Sequence, residues 1–146
     1  GKGEFLNYFT NFQNQCIGFE PGNDALEIAK SSLTIYHRYF TSNDLREYNP
    51  DVLICRHVIE HLAKPLNFLQ ELYLACTLNQ CSPLFLAEVP LIDKAFQQVR
   101  INDFLYEHVS NFSFQSFRKL FELSGFEIIE HQARYHDEVV TIAAKP

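Results

Sequence analysis

The chain has 146 residues, about the size of one domain, and 47% of them are hydrophobic, so a packed globular fold is expected rather than disorder. Its net charge is −6 with no basic run, which disfavours DNA or RNA as a partner. Its four cysteines do not suggest a disulfide framework and predict a reduced, cytoplasmic chain, and no apolar run approaches the ~18–20 residues that a membrane span needs.

The first third of the chain alternates helical and extended patterns. After the N-terminal glycines, Phe5, Phe9 and Phe12 recur at helical spacing, which predicts a helix with a buried phenylalanine stripe. Runs rich in β-branched and aromatic residues follow and are typical of strands. The predicted elements, in chain order, are a helix at 4–13, a strand at 15–20, a helix capped by Asp24, a strand at 33–40 and a polar loop at 41–50.

The rest of the chain continues this alternation and closes with a hairpin. Pro65 suits the first turn of a helix, Ser113 is a good N-cap, and Gly125 is a good C-terminal stop. The predicted elements, in chain order, are a strand at 51–55, a helix from 65, a strand at 83–90, an aperiodic segment at 91–112, a helix at 114–124, and strands at 126–135 and 138–146 joined at His136 and Asp137.

Alternating strands and helices indicate an α/β fold of the three-layer, Rossmann-like kind. We expect a mostly parallel sheet to which the C-terminal hairpin adds an antiparallel strand. The sequence shows no internal repeat and no second domain, so residues 1–146 are expected to form a single domain.

The stretch "GKGEFL" at the N-terminus has the character of a nucleotide-binding glycine loop that leads into a helix. A phosphate-binding loop of the G-x-x-x-x-G-K-[ST] type is absent. Gly1 and Gly3 fit the start of a dinucleotide fingerprint, but Leu6 would hinder the approach of a pyrophosphate and disfavours a nicotinamide-dependent enzyme. A ligand without a pyrophosphate is the remaining interpretation.

Glu20 ends the second predicted element, at the edge of the sheet where α/β proteins bind ligands. A carboxylate at this position can accept two hydrogen bonds from a ribose diol. Together with the glycine loop, it favours an adenosine-type ligand such as S-adenosylmethionine. The alternative is that Glu20 is only a solvated strand end.

Four stretches together resemble class I S-adenosylmethionine-dependent methyltransferases, in particular the small-molecule enzymes related to sugar C-methyltransferases. They are "GKGEFL", "IGFEPG", "DVLICRHVIEHLAKPLNFLQEL" and "YEHVSNFSFQSFRKLFELSGFEIIE". The resemblance implies methyl transfer from S-adenosylmethionine to a small molecule such as a sugar or natural-product intermediate, on carbon or oxygen. The alternative is a binding or scaffold domain with the same fold and no catalysis.

The sequence departs from this family at its N-terminus. The family's first strand, which would be the central strand of the sheet, does not precede the glycines. The N-terminal region with a metal-binding module, which sugar C-methyltransferases carry, is also not seen. The resemblance therefore implies a fragment of a longer methyltransferase, truncated before Gly1 and expected to bind S-adenosylmethionine poorly by itself.

The segment "YEHVSNF" supplies the candidate catalytic residues, because the resemblance places it on the substrate side of the pocket. His108 is the preferred base, since an imidazole titrates near neutral pH and can accept a proton. Glu107 would orient His108 or act itself, and Tyr106 would hold the substrate or close the pocket. The alternative for His108 is a hydrogen bond within its own loop.

Three further residues are candidates for the cofactor pocket. His57 follows the strand at 51–55 and is expected to line the pocket, Arg56 would meet the cofactor's carboxylate or form a surface ion pair, and Phe40 would contact adenine or pack in the core. His57 and His61 would share a helix face, but no third metal ligand has a sensible spacing. Because Cys76 and Cys81 also lack a second pair, no metal is expected.

Overall fold

The computed structural model of the chain describes residues 3–10, 15–23, 33–100 and 108–146. These residues belong to two units, Gly1–Thr41 and Ser42–Pro146. The predicted helix after Asp24 lies outside the described residues, as do Gly1, Phe12, Tyr106 and Glu107. That the whole chain forms one domain stays a prediction.

The first unit contains a helix, α1 (Glu4–Thr10), and two parallel strands, β1 (Ile17–Phe19) and β2 (Thr34–Tyr36). The two predicted strands are thus present with shorter bounds, and the predicted helix is present over the part of it that the structure describes. Gly18 lets α1 approach β1 closely, since a Cβ atom there would lie 3.3 Å from Leu6. Phe5 is exposed and its ring meets that of Phe9 edge-on, so its predicted core position is wrong: the side of α1 that meets β1 carries Leu6 instead.

The second unit contains four helices, one 3₁₀ turn and four strands within its described residues. The elements, in chain order, are α2 (Ser42–Tyr48), β3 (Val52–Arg56), the 3₁₀ turn (Ile59–His61), α3 (Pro65–Asn79), β4 (Leu84–Pro90), α4 (Asp93–Gln97), α5 (Phe114–Ser124), β5 (Glu127–Arg134) and β6 (Val139–Lys145).

Helix α2 corrects the prediction of a polar loop at 41–50. Its core contact is Leu45, which is fully buried, and α2 packs against α3. Leu45 and Tyr48 are the only hydrophobic residues among its seven, too few to show a helical period, so the pattern could not reveal this helix. Burial of that one side chain contributes roughly 1.5–3 kcal/mol, enough to hold a helix whose remaining residues are mostly polar.

The four strands of the second unit form one sheet in the order β3-β4-β6-β5. Strand β4 is parallel to β3, and β6 is antiparallel to both β4 and β5. Consequently β3, β4 and β5 run in one direction and β6 alone runs against them. This arrangement confirms the α/β fold with a mostly parallel sheet and an antiparallel C-terminal hairpin.

Helix α5 closes one face of this sheet and has both predicted ends. The Ser113 hydroxyl accepts from the Ser116 N–H at 3.1 Å, and the Ser116 hydroxyl accepts from the Ser113 N–H at 2.8 Å. These reciprocal bonds satisfy two N–H groups that would otherwise lack partners at the start of the helix. The apolar side of α5 buries Phe117 and Phe121 beside Phe85 of β4.

Gly125 ends α5 with φ of 99°, a conformation that disfavours every residue with a Cβ atom. A Cβ atom there would also lie 3.1 Å from the Tyr73 ring. We expect Gly125→Ala to lower the free energy of unfolding by about 1–2 kcal/mol, measured by urea unfolding. Gln80 holds the corresponding position of α3 with φ of 53°, so Gln80→Gly should instead stabilise the protein. Equal stability of Gly125→Ala and wild type would contradict this account.

The helices of the described ranges have at most 15 residues, whereas a membrane-spanning helix needs about 20 predominantly apolar residues. None of these helices is long and apolar enough to cross a membrane.

Candidate functional site

Polar side chains gather where β3 and β4 end, on the edge at which parallel sheets bind ligands. Arg56 lies opposite Glu88 in the ladder between these strands. Its Nε and Nη2 atoms lie 2.9 and 2.8 Å from Oε1 of Glu88, a carboxylate that is almost entirely buried. Arg56 thus forms an ion pair, which was the alternative to contact with the cofactor. The Glu88 carboxylate already compensates the guanidinium charge. Contact of Arg56 with a cofactor's carboxylate stays a prediction.

His57 continues the chain directly after β3 and turns it sharply, with φ of 52°. Its N–H donates to the Glu88 carbonyl at 3.0 Å, which fixes the backbone at the strand end. Its ring lies between two carboxylates, with Nδ1 3.5 Å from Glu60 Oε1 and Nε2 3.2 Å from Glu88 Oε1. The pKa of His57 is raised above its usual value, mainly by its contact with Glu60 and to a lesser degree by the charge of Glu88. Partial burial of the ring opposes this rise.

Glu60 lies in the 3₁₀ turn and is the most deeply buried acid at this edge, with 1% of its surface exposed. The fully buried Ile59 beside it anchors the turn in the core. Within the described residues, neither carboxylate oxygen of Glu60 has a partner in good hydrogen-bond geometry, since the His57 contact at 3.5 Å is at the limit. Burial of an acid without such partners is unfavourable and is typical of functional sites.

Glu60 also affects the pKa of Cys55, which lies near the end of β3. Burial, and secondly the charge of Glu60, raise the pKa of the Cys55 thiol to about 12. Because the thiolate is the reactive form of cysteine, the raised pKa makes the Cys55 thiol unreactive at neutral pH.

His61 and His108 meet above Glu60. Their rings lie 5.0 Å apart in an edge-to-face arrangement, and the segment after His108 is tied to the turn by the Ser110 N–H, which donates to the Glu60 carbonyl at 2.9 Å. One ligand atom from each of Glu60, His61 and His108 lies within 4.8 Å of the other two. This cluster could not be predicted from local sequence patterns, because His108 is far from "HVIEHL" along the chain.

Two acids of this edge were missed as site residues. The sequence pattern predicts no site role for Glu60, and Glu88 falls within the strand predicted at 83–90. The available signal was an acid inside an apolar run, in "HVIEHL" and in "PLFLAEVP". A charged residue in such a run is almost never fully buried unless it is paired.

The predicted cofactor residues of the first unit have local roles that the structure defines. Gly3 adopts φ of 75° and its carbonyl accepts from the Asn7 N–H at 3.0 Å, so the glycine leads into α1 in a left-handed conformation. Oε1 of Glu20 accepts from the Gly22 N–H at 2.7 Å, which orients the carboxylate at the strand end. The Phe40 ring packs edge-on against Phe19 at 5.3 Å, as in the core-packing alternative.

The comparisons with known proteins give a family and a fold. The family model described as "methyltransferase domain" matches residues 1–131. No curated protein matches the chain.

Solved structures match the chain at low sequence identity. An S-adenosylmethionine-dependent methyltransferase from Archaeoglobus fulgidus is 16% identical with a TM-score of 0.68, over 100% of this chain and 82% of that one. The magnesium protoporphyrin IX methyltransferase of Synechocystis, solved with S-adenosylhomocysteine, is 12% identical with a TM-score of 0.67. The match covers 99% of this chain and 70% of that one. A complex of the Haloferax volcanii Trm112 activator and a methyltransferase is 12% identical with a TM-score of 0.69, and the match covers 100% of this chain and 79% of that one. At these identities the likeness shows the fold alone.

Proposed function

Because the chain belongs to the methyltransferase domain family, we propose that it transfers a methyl group from S-adenosylmethionine to a small-molecule acceptor. The family match over residues 1–131 is the observation that carries this proposal. The reaction is an in-line displacement at a sulfonium methyl group, for which the cofactor supplies the activation. The protein's task is to align the acceptor with the methyl group and to remove a proton where the acceptor has one.

The acceptor is a sugar or natural-product intermediate that is methylated on carbon or oxygen. The imidazoles at the end of β3 support an acceptor whose proton must be removed, since a neutral imidazole accepts a proton near neutral pH. The magnesium protoporphyrin IX methyltransferase is a neighbour whose acceptor is a small molecule. The four cysteines, all within the described residues, form no disulfide, which agrees with the proposed cytoplasmic location.

Two measurements test the proposal. Calorimetric titrations with S-adenosylmethionine and with NAD identify the cofactor, and binding of NAD alone would overturn the assignment. Formation of S-adenosylhomocysteine with a panel of sugars and hydroxylated natural products then tests catalysis. Binding of S-adenosylmethionine without turnover on any acceptor would favour the scaffold alternative.

Cofactor contacts are assigned to Gly1, Gly3, Glu20 and Phe40 in the first unit and to Arg56 and His57 in the second. Glu20 is the strongest of these assignments, because its carboxylate is held at a strand end by the Gly22 N–H. A carboxylate held this way is preorganised for a ribose diol, and a rigid acceptor loses little conformational entropy on binding. The Phe19 contact of Phe40 makes its adenine contact the weakest assignment.

We expect Glu20→Ala to weaken S-adenosylmethionine binding by about 1.5–3 kcal/mol, the range for hydrogen bonds to a charged group. Calorimetry on the variants of the full-length protein measures this loss, because residues 1–146 alone are expected to bind S-adenosylmethionine poorly. Glu127→Ala, which removes an exposed acid at the start of β5, is the control and should leave the affinity unchanged. If Glu20→Ala binds the cofactor as wild type does, Glu20 is only a turn residue.

The proton acceptor is assigned to His108, with Glu107 as its orienting or substitute group and Tyr106 as a substrate contact. The Ser110–Glu60 backbone bond supports the assignment of His108, because it holds this segment at the carboxyl ends of β3 and β4. A base must lie within hydrogen-bond reach of the proton it removes, so an anchored backbone with a partly exposed ring is favourable.

A further inference from the structure

The proposed methyl transfer gives no role to the buried carboxylate of Glu60. Both of its oxygens are inaccessible and, within the described part of the chain, neither has a partner in good hydrogen-bond geometry, the His57 contact at 3.5 Å being at the limit, while the imidazoles of His61 and His108 lie beside it. A buried acid is stabilised when it binds a cation. We propose that Glu60, His61 and His108 form a binding site for a divalent cation of the zinc type.

The three groups are brought together by tertiary structure and not by a local motif. Glu60 and His61 belong to the 3₁₀ turn, and His108 approaches from a separate segment that the Ser110–Glu60 backbone bond ties to this turn. Their ligand atoms lie within 4.8 Å of one another. Zinc ligands at ~2.0–2.2 Å in tetrahedral geometry are about 3.5 Å apart, so closure by about an ångström completes the site.

The required closure falls on the side chains best able to move. Glu60 is held in the core, whereas the His61 ring is 43% exposed and His108 is half-buried. Rotation of these two rings toward the carboxylate is therefore the movement that we expect on cation binding.

The chemistry of the ligands selects the class of cation. Two imidazoles and one carboxylate are the ligands of many catalytic zinc sites, and they leave a fourth position open. Magnesium and calcium prefer oxygen ligands throughout, so they fit this site poorly.

His57 completes the surroundings of the site. Its ring lies between Oε1 of Glu60 at 3.5 Å and Oε1 of Glu88 at 3.2 Å, and Glu88 is in turn held by Arg56 at 2.8 Å. Contacts of this kind, made by residues around a metal ligand, orient the ligating carboxylate and tune its affinity for the cation.

This inference goes beyond the proposed function and does not depend on it. A neutral imidazole has one lone pair, so His108 cannot bind a cation and accept a proton from the acceptor at the same time. We therefore expect zinc to inhibit methyl transfer in proportion to its occupancy of the site, and a chelator to reverse the inhibition.

The test is a calorimetric titration of metal-free protein with ZnCl₂, together with the visible absorption of the Co²⁺ form. Wild type should bind one equivalent, and Glu60→Gln and His61→Gln should each bind at least ~100-fold more weakly, because each removes a ligand. The control is His136→Gln, in the exposed turn between β5 and β6, which should bind as wild type does. Neither S-adenosylmethionine nor turnover is needed, so failure of the proposed function leaves this result intact.

Glu60→Gln also separates a lost ligand from a damaged fold. Removal of a buried, poorly compensated charge should leave metal-free Glu60→Gln at least as stable as metal-free wild type. Zinc should raise the melting temperature of wild type and not that of Glu60→Gln. Unchanged zinc affinity in Glu60→Gln or His61→Gln, or loss of binding in His136→Gln, would overturn the proposal.

Discussion

Replacing His108 by glutamine is expected to lower the rate of methyl transfer by roughly 10²–10⁴-fold, the range for loss of a general base. Glutamine retains a hydrogen-bonding side chain of similar size but cannot accept a proton at neutral pH. S-adenosylmethionine affinity should stay near that of wild type, because His108 is assigned to the acceptor side. The melting temperature should also change little, since the ring is partly exposed and the backbone bond from Ser110 to Glu60 remains.

The rate is measured as S-adenosylhomocysteine formed with an acceptor found in the panel, on chelator-treated protein. Under these conditions loss of a metal ligand has no effect, so only the base role of His108 is tested. His136→Gln, the same substitution in the exposed hairpin turn, is the control. Normal turnover by folded His108→Gln would assign the proton to Glu107, or indicate that alignment alone suffices.

Replacing Phe121 by alanine is expected to lower the free energy of unfolding by about 3–5 kcal/mol, the range for truncation of a buried phenylalanine. Phe121 is fully buried and contacts three aromatic rings, those of Phe85, Phe117 and Phe126, at centroid distances of 5.6, 5.3 and 5.8 Å. Its removal leaves a cavity between α5 and the sheet. The loss is large because small domains are stable by only about 5–15 kcal/mol.

Urea unfolding followed by circular dichroism measures this change. Leu123→Ala is a matched control, because Leu123 lies two residues further along α5 but is 56% exposed. Its effect should stay within about 0.5 kcal/mol. Similar losses for Phe121→Ala and Leu123→Ala would mean that the aromatic cluster does not hold α5 on the sheet.

Local chemistry in the sequence determined the second half of the fold. The Ser113 cap and the Gly125 stop predict α5, and the structure has the capping box and the left-handed C-cap. The hairpin was predicted in the same way, and its turn is at Tyr135, His136 and Asp137 with positive φ angles. These features depend on neighbours a few residues away, so a single sequence contains them.

The sequence was less informative where one distant contact decides local structure. Leu45 is the only apolar residue inside the polar stretch at 42–47, and its burial makes α2 a helix. Phe5 has helical spacing like a core residue, yet Leu6 is the residue that approaches β1. In both places the local pattern of residues does not contain the packing partner, so it could not show which side chain is buried.

Sequence by itself determined the α/β class, the order of most elements, the family resemblance and the placement of Arg56 and His57 at a strand end. Only the tertiary structure decided that Glu60, His61 and His108 meet. Their meeting depends on the parallel pairing of β3 with β4 and on the backbone bond from Ser110 to Glu60, both of which join segments far apart in the chain. Periodicity and capping act over a few residues, whereas strand order and burial fix which distant side chains share an edge.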